Sequence, residues 1–160
     1  MLFRSRYALA KLAQVPGVRV YGKLDAANLD DRLGVIAFNV EGLPHALVAA
    51  ILSYEGAIGV RSGCFCAHPY ILHLLGLTPD EAHQVRERML AKDKSDMPGL
   101  IRASFGLYNS FEDVDGFVEA LAKIAHGEYK GVYTQDITTG EYHAAGWQPD
   151  FDGYFSIQTA

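Results

Sequence analysis

Thiols are nearly missing from this chain: it holds two cysteines, Cys64 and Cys66, with one residue between them. Thiols so close in sequence could form only a strained mutual disulfide, so no disulfide framework can be built. That argues for a reducing compartment, and a cytoplasmic protein is expected. Long apolar runs are missing too. No stretch reaches the roughly 18–20 residues that span a bilayer, and Arg4, Arg6 and Lys11 interrupt the start, which therefore lacks a signal-peptide core. No membrane partner is expected. Positive charge is scarce, with 14 Lys and Arg against 19 Asp and Glu and a formal charge of −5. A basic surface for nucleic acid is not expected. With 49% hydrophobic and 21% charged residues, intrinsic disorder is excluded as well. What remains is a chain of 160 residues, long enough for one domain with its own core.

Apolar periodicity lays out the elements. Leu2, Tyr7, Leu9 and Leu12 recur at helical spacing until Pro16-Gly17 stops the pattern. This helix opens at Met1 without a capping residue, as a helix cut from a longer protein would, or as a frayed terminus would. Val18 to Tyr21 alternates as a short strand, and Gly22 to Arg32 is a polar loop. Gly34 to Val40 is apolar at nearly every position, so it reads as a strand covered on both faces. His45 to Glu55 has helical spacing, Ala57 to Arg61 reads as a third strand, and Pro69 to Leu75 as a short helix opened by proline. Thr78, Pro79 and Glu81 form a capping box for a helix running to Lys92. Ile101 to Leu107 is the fourth strand. Ser110 caps a last helix to His126, with Asp113 where Glu or Gln is usual. Strands alternating with helices define an α/β or α+β class.

Beyond residue 127 the composition changes. Residues 128–160 carry seven aromatics, three branched aliphatics, five acids and one lysine, and so hold −4 of the net −5. Aromatics without aliphatics build no independent core. This segment is expected to lie across another surface, of its own domain or of a partner, or to form a terminal arm.

Chemistry concentrates in Arg61-Ser62-Gly63-Cys64-Phe65-Cys66-Ala67-His68-Pro69, between a strand and a helix. Cys66 falls just before a helix N-terminus, whose positive end favours a thiolate. Gly63 allows a turn that a side chain would resist. A cysteine on such a loop is a candidate nucleophile, although free cysteines are commonly small buried apolar residues. Cys64 and Cys66 with His68 or His73 could also ligate a metal. Structural zinc sites draw ligands from two segments, however, and no metal is expected. His45, His83, His126 and His143 follow ordinary helix or loop patterns and are expected to be solvated. Arg102 is the second candidate. A guanidinium within an apolar strand needs a partner, either a ligand carboxylate or an internal acid such as Glu112 or Asp113.

Taken together, GVIAFNVEG, GVRSGCFCAHP and IRASFGLYNSFEDVDGFVEAL resemble the C-terminal part of class V, fold-type I enzymes that use pyridoxal phosphate (PLP), in particular the cysteine desulfurase and selenocysteine lyase branch. The resemblance covers Met1 to Ile124. An Arg-x-Gly-x-x-Cys-Ala-x-Pro motif is matched by Arg61, Gly63, Cys66, Ala67 and Pro69. An Arg-Ala-Ser-x-x-x-Tyr-Asn motif is matched by Arg102, Ala103, Ser104, Tyr108 and Asn109. The resemblance implies a compact, mostly antiparallel sheet of about four strands with helices packed on one side. It implies that Cys66 takes sulfur from cysteine as a persulfide, that Arg102 holds the substrate carboxylate, and that Arg61 lies near the active site. Residues 1–127 would be the family's small domain and 128–160 an aromatic, acidic extension.

Two departures stand beside it. The desulfurase branch carries two histidines before its catalytic cysteine, where this chain has Cys64 and Phe65; the Gly-Cys-Phe-Cys string is similar to the aminotransferase-like domain of molybdenum cofactor sulfurases. PLP needs a Schiff-base lysine, which the family places after a histidine in its large domain. None of the six lysines here follows a histidine. The large PLP-binding domain is therefore expected to be absent from this chain, and the chain alone to be inactive. In the intact enzyme its partners would be its own large domain, a second subunit and a sulfur-acceptor protein. The alternatives are a class V aminotransferase or lyase in which Cys66 is a bystander, and a stand-alone binding module.

Overall fold

The computed structural model describes residues 2–22 and 33–148. Residues 23–32, which include most of the expected polar loop and Lys23, lie outside the described residues, as do Met1 and the tail aromatics Phe151, Tyr154 and Phe155. The element order is α1 (Leu2–Leu12), β1 (Val18–Tyr21), β2 (Val35–Val40), α2 (His45–Gly56), β3 (Arg61–Gly63), α3 (His68–Leu75), α4 (Pro79–Leu90), β4 (Leu100–Ser104), α5 (Phe111–Ala125), β5 (Tyr133–Gln135) and β6 (Tyr142–Ala144).

The first four strands form one antiparallel sheet in the order β1-β2-β4-β3. The fold is α+β, with a sheet of the expected size and direction. Register explains its two faces. Ile36 lies opposite Ala103 and Phe38 opposite Ile101, so these side chains share one face. There they pack with Leu9 and Leu12 of α1, Ile51 and Leu52 of α2, and Phe117 and Leu121 of α5. Burying each large apolar side chain contributes about 1.5–3 kcal/mol. Phe38 meets Phe117 edge to face at 5.7 Å between ring centroids. On the surface, the Tyr7 hydroxyl donates to Asp115 at 2.8 Å and Lys11 pairs with the same carboxylate at 3.0 Å, tying α1 to α5.

Three readings need correction. The β2 strand is not covered on both faces: Ile36, Phe38 and Val40 are buried, whereas Val35, Ala37 and Asn39 are only half-buried. In an antiparallel sheet with helices on one side, the apolar residues of the other side need no helix above them. The third strand starts four residues later than its apolar pattern suggested. Ala57 is the left-handed C-cap of α2, and Ile58 donates back to Leu52 O at 2.9 Å. Ile58 and Val60 pack against the core without ladder hydrogen bonds, so their alternation reports burial and not pairing. His45 is also not a solvated histidine, since it is half-buried.

Both expected capping boxes form. Thr78 accepts from the Glu81 N–H, and Ser110 from the Asp113 N–H, with Asp113 reaching back to the Ser110 N–H at 2.9 Å. The described part of the tail includes a β5–β6 hairpin lying across its own domain. Tyr54 of α2 packs against Trp147 at 5.1 Å and Tyr133 at 6.1 Å. The Glu55 carboxylate accepts from the N–H groups of Lys130 and Gly131 and from the Tyr133 hydroxyl.

Candidate functional site

The sheet hands the chain to the cysteine loop at Gly63, whose φ of 108° is closed to other residues without strain. Cys64 to Ala67 then makes a tight turn, closed by the Ala67 N–H donating to Cys64 O at 2.7 Å. Both central residues, Phe65 with φ 51° and Cys66 with φ 61°, are left-handed. Turns with two such residues usually carry Asn-Gly. Phe and Cys in this conformation each cost of order 1–3 kcal/mol, and surrounding contacts must hold them there. Ala67 is the N-cap of α3 and offers no side-chain cap, so the free end of that helix follows directly on Cys66. Cys66 is exposed and Cys64 half-buried, both as free thiols. Burial pushes the Cys64 thiol above its ordinary pKa, which keeps that thiol in its protonated form.

Arg102 projects from the middle of β4 on the face away from the main core, in register with Ala37 on one side and Arg61 on the other. Tyr21, Ala37, Arg102 and Arg61 thus form one row across all four strands. The Arg102 guanidinium lies 5.0 Å from the Phe65 ring centroid, a cation–π contact that ties the strand to the turn. Its Nε is buried and has no hydrogen-bond partner. The internal acids weighed for it do not serve: Asp113 binds Ser110 and Asn109, Glu112 is exposed, and among the described residues no carboxylate pairs with Arg102 or Arg61. Two like charges directly opposite each other in a sheet repel. A bound anion would relieve that repulsion and satisfy the buried Nε.

Arg61 of the edge strand β3 and Arg102 of the adjacent β4 thus lie side by side, and Phe65, the residue before Cys66 in the turn, contacts the Arg102 guanidinium. Sequence reasoning missed three supports. Asn109 Oδ1 accepts from the Gly106 N–H at 2.8 Å and shapes the loop after β4. His45 Nε2 donates to Met97 O, and Asn39 Nδ2 to Gly99 O, each at 3.0 Å. The Pro98-Gly99 pair was the available signal for an irregular segment before β4. A cleft of about 490 Å³ beside Cys64 is bounded by His45, His68, Met97, Gln135 and Gly140. A larger groove of about 1220 Å³ lies between α2, α5 and the tail, and neither Cys66 nor Arg102 lines it. Among the described residues no three His, Cys, Asp or Glu side chains converge as a metal would require. No helix there is long and apolar enough to cross a membrane.

PLP does not fit the described residues as an anchored cofactor. Lys11 and Lys123 are paired with Asp115 and Glu119, Lys92 and Lys94 follow α4, and Lys130 lies in the tail. None stands on the cysteine loop or on a strand.

Comparison with known proteins defines the class. The class V aminotransferase family model matches residues 4–117, and the chain belongs to that family. Within it, the chain is 38% identical over 120 residues to a cysteine desulfurase of Salmonella newport and 36% identical over 119 residues to one of Escherichia coli O127:H6. Each match covers 74% of this chain, which spans 22% of the length of those relatives. Among solved structures, the cysteine desulfurase CsdA of Escherichia coli, in an S-sulfonic acid form, superposes with a TM-score of 0.54 at 25% identity. That match covers 81% of this chain and 25% of the other.

Proposed function

We propose that these residues serve as the small domain of a PLP-dependent cysteine desulfurase that cleaves the C–S bond of L-cysteine or the C–Se bond of selenocysteine. The observation that carries this reading is an exposed Cys66 on a strained turn whose Phe65 contacts Arg102, an arginine with no carboxylate partner among the described residues. Arg102 grips the α-carboxylate of the amino acid through parallel N–H donors, and Arg61 adds positive charge beside it. Cys66 Sγ attacks the substrate sulfur; the S–S bond forms as the C–S bond breaks, and the bonding pair remains with carbon. The product on this chain is a Cys66 persulfide, exposed for transfer to an acceptor thiol. PLP supplies the electron sink for such a cleavage. Its lysine belongs to the family's large domain, which in this reading lies outside these residues; residues 128–160 are an extension of the small domain.

Cys66→Ala tests the reading in the protein that carries the PLP-binding domain. Sulfide or persulfide production from cysteine falls by about a thousandfold, as for loss of a covalent nucleophile. Continued desulfuration would overturn the proposal. Retained transamination alongside lost desulfuration is compatible with it, whereas unchanged transamination with no desulfuration in the parent would favour the aminotransferase reading that the Cys64-Phe65 departure raises. The chain on its own, mixed with PLP, should show no Schiff-base absorbance.

A further inference from the structure

Three consecutive backbone carbonyls, Met97, Pro98 and Gly99, each accept a hydrogen bond from a side chain of a different element. His45 at the start of α2 binds Met97 O at 3.0 Å, Cys64 Sγ binds Pro98 O at 3.2 Å, and Asn39 of β2 binds Gly99 O at 3.0 Å. Two of these donors belong to the frame of the domain. The third belongs to the turn that presents Cys66. The short segment before β4 thus joins the cysteine turn to β2 and α2.

Packing makes the junction tight. A Cβ on Gly99 would lie 2.6 Å from His45 Nε2 and 2.8 Å from the Gly63 Cα, so the glycine, the imidazole and the entry to the cysteine loop are in contact. Burial keeps the His45 imidazole neutral against the pull of its bond to Met97 O, so Nε2 carries the proton it donates. Burial likewise keeps the Cys64 thiol protonated and able to donate. The turn needs such a clamp, because left-handed Phe65 and Cys66 persist only where neighbours over-determine them.

We propose that Cys64 is a positioning residue whose thiol, by donating to Pro98 O, holds the Cys64–Ala67 turn in the conformation that presents Cys66. This deepens the desulfurase reading, which assigns Cys66 its chemistry, and gives the neighbouring cysteine a role that is neither nucleophilic nor metal-binding.

Amide hydrogen exchange on the 160-residue chain tests it at the Ala67 N–H, the hydrogen bond that closes the turn. Cys64→Ala and Cys64→Val both remove the donor; valine also keeps the packed volume, which guards against a variant that fails to fold. Each lowers Ala67 protection by about tenfold, the exchange equivalent of one lost hydrogen bond, without equal loss in β2 or β4. Cys64→Ser keeps a donor and restores protection. Parental protection in Cys64→Val, or a serine variant as exposed as the alanine one, would overturn the proposal. In the protein carrying the PLP-binding domain, Cys64→Val lowers kcat at unchanged KM. If Cys66→Ala there keeps its turnover, the desulfurase reading fails, while the exchange result still decides the clamp.

Discussion

The two faces of the four-stranded sheet are built from the same strands and do opposite things. On one face Ile36, Phe38, Val40, Ile101 and Ala103 lie under α1, α2 and α5, and the buried polar residue among those described is Ser5 of α1. On the other, Ala37, Asn39, Arg102 and Arg61 are half-buried or exposed, and two guanidiniums stand opposite each other without a carboxylate among the described residues. The first face supplies stability. The second tolerates a repulsive pair and a buried, unpartnered Nε, which folding alone does not favour. Such a local conflict in an otherwise consistent sequence points to function. The difference teaches that a one-residue step along β4, from Ile101 to Arg102, separates the residues that hold the domain from those that would hold a ligand.

The largest test of this division is Phe38→Ala. The ring is fully buried against Phe117, and its loss leaves a cavity costing about 3–5 kcal/mol. Urea denaturation should show that drop, whereas Ala37→Ser, one residue away on the open face, stays within about 0.5 kcal/mol. Comparable losses at both positions would break the comparison.

Arg102→Met sharpens it from the other side. The substitution removes the repulsion with Arg61 and the unsatisfied Nε while keeping a long apolar stem over Phe65. Stability in urea is expected to stay level or rise by up to about 1 kcal/mol. In the protein with its PLP-binding domain, the same change should raise KM for the amino acid steeply. A variant that loses stability as much as Phe38→Ala would make Arg102 a structural residue.

Most of the fold was legible because the elements carry local signals strong enough to survive packing. The capping boxes at Thr78 and Ser110, the apolar stripe of α5, the alternating strand β1 and the position of β2, though not its one-sided burial, all appear where their residues put them. The errors share one cause. Ile58 and Val60 have strand-like apolar spacing but bury side chains without pairing backbone, and pattern records only burial. Nothing local says that Ala57 takes a left-handed C-cap or that His45 meets Met97, since both depend on distant neighbours. At the site, loop context singled out Cys66, the apolar surroundings of its strand singled out Arg102, and the family resemblance added Arg61. Such signals could not show that Glu112 and Asp113 do not pair with Arg102, or that Cys64 binds Pro98, because those facts arise only when β3, β4 and the segment before β4 are brought together. The tail was half legible: its aromatic composition called for a surface, and α2 is the surface that the hairpin covers.

Strain offers a smaller contrast between the two sides. Ala57 and Phe65 share a φ of 51°, but Ala57 closes a core helix and Phe65 lies under Arg102. Ala57→Gly should therefore stabilise the domain by about 0.5–1 kcal/mol, because glycine adopts the left-handed cap freely. Phe65→Gly relieves the same strain but gives up the contact with Arg102 and frees the turn, so its net change in urea stability is smaller and the Ala67 amide loses protection. Equal gains at both sites, with Ala67 still protected, would mean that the turn needs no aromatic support.

The smallest effect is expected where the tail meets α2. Burial raises the pKa of Glu55, but the Gly131 and Lys130 N–H groups and the Tyr133 hydroxyl outweigh it and hold the carboxyl below the ordinary glutamate value. A carboxyl with a depressed folded pKa contributes stability that is present above its unfolded value of about 4.5 and is lost as pH falls through the folded one. Because the group is largely exposed, the contribution stays under about 1 kcal/mol. Trp147 is the single tryptophan and packs on Tyr54, so its fluorescence reports hairpin docking directly. Docking should weaken below about pH 4.5 in the parent, and Glu55→Gln should flatten that response while leaving the sheet's urea stability unchanged. A Trp147 signal equally sensitive to acid in both proteins would move the latch from Glu55 to the aromatic contacts around Tyr54, and the hairpin would then be held by ring packing alone.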